Sequence, residues 1–121
     1  MPVQETKLAS NTVLITDGTA RDIIPAASVG TNQRAVILSY TAVNVTAAQA
    51  PIILLETLET VPQLVDQCAP GDPAAALKEP GIVRVPADPP IALPAGAGLS
   101  GKAASAVGDV TVTVRYQLQT V

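Results

Sequence analysis

The carboxy-terminal stretch DVTVTVRYQLQT places Val110, Val112, Val114, Tyr116 and Leu118 at alternate positions, with Thr111, Thr113, Arg115, Gln117 and Gln119 between them. A period of two, rich in β-branched residues, predicts a strand with one buried face. RAVILSYTAVNVT, residues 34–46, predicts a second long strand. There Val36, Leu38 and Tyr40 share one face, and Val43 and Val45 follow in the opposite phase. A β-bulge near Thr41–Ala42 would turn both sets inward, and a strand buried on both faces is the alternative. PIILLETL, residues 51–58, is an apolar run of strand length that opens on a proline, where no ladder hydrogen bond is needed. Shorter extended segments are predicted over 12–16, 20–25, 82–85 and 99–104, with a further short piece after Ile91. Asp17-Gly18, between the first two, is a tight-turn pair.

One short helix is expected in GDPAAALKEPG, with Asp72 as N-cap, Pro73 at the first helical position and Pro80-Gly81 as the stop. The preceding VPQLVDQCAPGDP reads as a long connection. Many short strands separated by turn signals predict an all-β fold, a jelly-roll β-sandwich of about eight strands with at most one short helix. The sandwich is expected over residues 12–121. Residues 1–11, MPVQETKLASN, are polar, extended-looking and without helical periodicity, which leaves two readings open, a free tail or an extended amino-terminal arm.

Composition sharpens this picture. The chain has 121 residues, the size of one domain, and only 14% are charged, against about 25% in an average domain. Hydrophobic residues make up 48%, yet there is no Phe and no Trp, so the core must be aliphatic. So few charges leave apolar surface that is best covered by another copy or another protein, the alternative being that alanines in exposed loops inflate the hydrophobic count. The net charge is −3 and the seven basic residues are scattered singly, which argues against a nucleic-acid partner. No run approaches the ~20 apolar residues of a membrane helix, so no membrane partner is expected. The start lacks a basic region followed by an apolar run, and a protein made and used without export is expected.

The candidate chemistry is thin. GAGLSGKAA, Gly96–Ala104, matches most of a phosphate-binding loop, but Ala103 stands where the Mg²⁺-binding hydroxyl belongs, and a strand is predicted to follow instead of a helix. A turn rich in glycine is the expected role. With no His in the chain, Ser-His-Asp and Cys-His nucleophile pairs are impossible. Cys68 has no second cysteine for a disulfide and no companions for a zinc site. The carboxylate pairs Asp17/Asp22, Glu56/Glu59 and Asp66/Asp72 have the makings of a glycosidase site, but the chain offers only two Tyr for sugar stacking. TDGTARD lacks the D-x-[DN]-x-[DN]-G calcium pattern. No catalytic residue, metal or cofactor is expected.

The layout of residues 20–121 resembles the jelly-roll cement, or decoration, proteins of tailed bacteriophages. The resemblance is carried by ARDIIPAASVGTNQRAVILSYTAVNV, then APIILLETLE, then PADPPIALPAGAGLSGKAASAVGDVTVTVRYQLQ. It implies a non-enzymatic homotrimer, assembled in the host cytoplasm and placed on the outer surface of the virion head, where it binds the major capsid protein and holds its subunits together. An arm of such a protein can reach neighbouring subunits, which makes Pro2, Val3, Gln4, Glu5, Thr6, Lys7 and Leu8 the candidate partner-binding residues. A module of a tail, baseplate, neck or head-fibre protein is the alternative, and a carbohydrate-binding domain is a third.

Overall fold

A computed structural model describes residues 7–45, 51–70, 82–105 and 109–121. Its strands are β1 (Lys7–Ile15), β2 (Arg21–Ile24), β3 (Gln33–Asn44), β4 (Ile52–Leu58), β5 (Leu64–Cys68), β6 (Ile82–Ala92), β7 (Gly98–Ser105) and β8 (Val110–Thr120). They form two four-stranded antiparallel sheets, ordered β1-β8-β3-β6 and β2-β7-β4-β5. Of the consecutive strands, only β4 and β5 are paired neighbours; the other connections cross between sheets. That interleaving makes the sandwich a jelly roll.

The core lies between the sheets and is aliphatic. Ile15, Ile24, Ile53, Leu99, Val110, Val112 and Val114 are fully buried. Tyr40 and Tyr116, the two aromatic side chains of the sequence, both stand on the inner face of the first sheet. The alternation in β8 appears as expected, with Val110, Val112, Val114 and Tyr116 inward and Arg115 exposed.

In β3 the bulge sits at Leu38, where the register to both β6 and β8 slips between Ile37 and Ser39. The inward set is therefore Ala35, Ile37, Tyr40 and Ala42, and Val36 and Val43 belong to the outer face. The expected bulge at Thr41–Ala42 is corrected because two alanines occupy core positions, and alanine carries little hydrophobic signal. β1 begins at Lys7, so Lys7–Asn11 of the expected arm are already part of the sheet, in unbroken register with β8 from Lys7↔Leu118 to Ile15↔Val110. β5 occupies part of what reads in sequence as a connection. β6 runs on through Pro86, Pro89 and Pro90, which an edge strand tolerates because its outer side needs no ladder bond. Ala26–Ser28 form a single 3₁₀ turn. The helix expected near Asp72–Lys78 lies outside the described residues.

Candidate interaction surface

Gly96–Ala104 is a turn followed by a central strand. Gly96 has φ +76°, which suits glycine at the turn, and β7 then runs between β2 and β4. A side chain on Gly98 would overlap the carbonyl oxygen of Ile24 and lie 2.8 Å from the amide nitrogen of Ala26. One on Gly101 would sit 2.7 Å from Cδ1 of Ile15. These glycines let the strand pack closely against its neighbours. Lys102, the residue of the apparent phosphate motif, pairs with Glu56 on β4 at 2.9 Å on the outside of the second sheet. β7 continues past it to Ser105, and among the described residues no helix amino terminus follows it, so the chemistry of a phosphate cradle is not assembled there.

The carboxylates are dispersed. Asp17 closes its own turn, accepting from the Thr19 amide at 2.9 Å, and Arg21 approaches it at 3.9 Å. Asp22 is exposed on β2, Glu56 is held by Lys102, and Glu59 is exposed beyond the end of β4. Asp72 lies outside the described residues. Asp66, on β5, accepts a 2.6 Å hydrogen bond from the Tyr40 hydroxyl of the opposite sheet. Burial, then this bond, raises the Tyr40 phenol well above its ordinary value. Burial, then the Asp66 carboxylate, pushes the Cys68 thiol up to about 11. A thiol raised in this way is a poor nucleophile, and Tyr40–Asp66 serves as a clasp between the sheets. Among the described residues, no three of His, Cys, Asp or Glu come together as a metal site.

The first sheet has a distinct outer face, built in cross-strand rows by the register of β1, β8, β3 and β6. One row is Leu14, Thr111, Val43 and Ile82, and the next is Thr12, Thr113, Thr41 and Arg84. A third is Ser10, Arg115, Ser39 and Pro86; a fourth is Leu8, Gln117, Val36, itself buried, and Ala92. Aliphatic rows thus bracket hydroxyl-rich ones. Leu8 is 62% exposed, Leu14 48% and Ile82 46%, large values for apolar side chains on a regular sheet. Thr12 and Thr113 share a hydrogen bond of 3.0 Å between hydroxyls. The four rows contain two arginines and no carboxylate, although the whole chain carries −3. A shallow depression lined by Leu8, Ala9, Ser10 and Arg115 marks the seam of β1 and β8.

Of the arm residues singled out from the sequence, Pro2–Thr6 lie outside the described residues, Lys7 opens β1, and Leu8 points outward from it. The sheet face itself is missed by sequence reading, because its rows join residues from four distant strands. The one signal that could have found it is the polar half of the β8 alternation, Thr111, Thr113, Arg115 and Gln117. Compared with protein-family models, curated proteins and solved structures, the chain shows no significant match to any of them, and the functional reading rests on this surface.

Proposed function

We propose that this is a structural virion protein, a capsid cement protein that sits as a homotrimer on the outside of a phage head and stabilises contacts between major capsid subunits. The observation that carries the reading is the outer face of β1-β8-β3-β6. Its exposed aliphatics favour burial, its hydroxyls cost less to desolvate than charges and can bond across a contact, and it has few charges that would need partners after burial. Such a face suits docking onto another broad protein surface better than it suits holding a small molecule. Each contact can be weak, because many copies on a fixed lattice act together. The jelly-roll strand order agrees with the fold the resemblance implies.

Two measurements test it. Quantitative mass spectrometry of purified particles should find the protein in amounts comparable to the major capsid protein; a few copies per particle would place it in a tail, neck or fibre instead. Thr41→Asp and Thr113→Asp, on the outer face, should each weaken binding to undecorated heads by about tenfold, equivalent to ~1.4 kcal/mol, while leaving the fold intact. Unchanged binding by both would remove this face from the contact.

A further inference from the structure

A jelly roll exposes four strand edges, and proteins blunt such edges with short strands, bulges, prolines or charges. Three edges here are blunted. β2 is four residues long with a register break and carries Arg21 and Asp22. β5 is five residues long, has a break opposite Leu55/Glu56 and carries Asp66. β6 has three prolines and loses register between Pro86 and Ile91. β1 is different. It runs nine residues without a bulge or a proline, and it has no charge between Leu8 and Ile15. Among the described residues it pairs on one side only, with β8. β2 lies in the facing sheet, tied to β1 by the Asn11 amide donating to the Ile23 carbonyl at 2.9 Å.

The sequence of β1 is also close to a palindrome about Asn11. Leu-Ala-Ser-Asn-Thr-Val-Leu, residues 8–14, reads apolar, apolar, hydroxyl, Asn, hydroxyl, apolar, apolar in either direction. We propose that the β1 edge is a self-association site, at which two copies of this chain pair their β1 strands antiparallel about a twofold axis at Asn11 and join their first sheets into one.

The register follows from the palindrome. Leu8 faces Leu14 of the second copy, Ala9 faces Val13, and Ser10 faces Thr12. Leu8, Ser10, Thr12 and Leu14 all stand on the outer face, so the pairing covers Leu8 and Leu14, the two most exposed side chains of that stretch with large apolar bulk. Ala9 and Val13 stand on the inner side, against the core. No like charges meet between Leu8 and Leu14, although each copy carries −3. The outer rows become continuous: the row through Leu14, Thr111, Val43 and Ile82 runs on into Leu8, Gln117, Val36 and Ala92 of the second copy. The edge is about 30 Å long. One sheet edge covers less than the roughly 800 Å² per partner of a standard interface, so the contact is weak in dilute solution and forms where copies are concentrated. It goes beyond the capsid reading and does not depend on it. A threefold assembly would need a second surface, and twofold pairing would then link one trimer to another.

The test reads the register directly. In a Cys68→Ala background, protein carrying Ser10→Cys is mixed with protein carrying Thr12→Cys and oxidised at about 100 μM, where a contact of this size is populated. The mixture should give a disulfide-linked pair in about tenfold higher yield than either variant alone, because position 10 faces position 12 across the axis and neither position faces itself. Separately, Thr12→Lys places a charge on the outer side of the edge; it should halve the sedimenting mass at that concentration with an unchanged circular dichroism spectrum. Equal cross-linking in all three samples, no cross-linked product in the mixture, or an unchanged mass for Thr12→Lys would each overturn the proposal. Binding to phage heads is measured separately, so failure of this contact and failure of the capsid reading remain distinguishable.

Discussion

Replacing Gly98 by alanine is the most demanding test of the packing described above. Gly98 is buried at the start of β7, opposite Leu58 on β4. A methyl group there would overlap the Ile24 carbonyl oxygen and lie 2.8 Å from the nitrogen and 3.1 Å from the Cα of Ala26. All three are main-chain atoms, so no rotamer change relieves the clash. The segment from Ile24 to Ala26 must move away, which breaks the Ile24↔Leu99 pairing and displaces two buried side chains, Ile24 and Val29. One lost ladder bond costs about 1 kcal/mol. The overpacking adds about 2 kcal/mol. A loss of about 3 kcal/mol corresponds to a drop in Tm of roughly 12 °C for a domain of this size. Gly101→Ala is the internal control. Its methyl would meet Cδ1 of Ile15 at 2.7 Å and Cδ1 of Ile23 at 3.1 Å, both ends of flexible side chains that can rotate. It should cost about 1 kcal/mol. Thermal melts followed by circular dichroism compare the two. A Gly98→Ala protein that melts with the wild type, or one more stable than Gly101→Ala, would refute the close approach of β7 to the β2 end.

Three further outcomes are expected. Val112→Asp and Val114→Asp each bury an unpaired carboxylate at a fully buried position and should leave the protein insoluble or unfolded, a loss of several kcal/mol, whereas Thr111→Asp and Thr113→Asp on the outer face should fold; soluble, folded valine variants would show the strand register to be wrong. Calorimetry with Mg-ATP should show no heat of binding, and micromolar affinity abolished by Lys102→Ala would contradict the strand assignment of Gly98–Ser105. Burial and Asp66 raise the Cys68 thiol from 9.0 to about 11, so the folded state keeps a proton that the unfolded chain releases. That contribution is whole below pH 9 and declines between pH 9 and 11, on the order of 2 kcal/mol by the upper end. Urea midpoints should fall between about pH 8 and about pH 10.5, and less so in Cys68→Ala; an equal fall in both would assign the effect to other groups.

The amino-acid sequence by itself determined the class of the fold and its strongest strands. The alternation of β8 and the apolar run of β4 are local patterns, set by which side chains can face a core, and they read correctly without knowledge of any partner strand. Ala103 in place of a Mg²⁺-binding hydroxyl and the absence of histidine from the sequence likewise argue, from residue identity alone, against a nucleotide loop and His-based nucleophiles. Tertiary structure decided what depends on neighbours. The bulge moved from Thr41–Ala42 to Leu38 because a bulge is a relation between strands, and small Ala35 and Ala42 carry core positions without a hydrophobic signature. β6 extends through its prolines only because it lies at an edge, which no local pattern reveals. Gly98 reads as a turn residue and Gly101 as a residue of a short strand, and only the crossing of β2 and the ends of Ile15 and Ile23 show what they accommodate. The candidate surface was the least legible part. Leu14, Thr111, Val43 and Ile82 are scattered along the chain and become one row only through the registers of three strand pairs. The near-palindrome of β1 was printed in the sequence throughout, but it acquires meaning only when the sheet order leaves that strand at an unblunted edge.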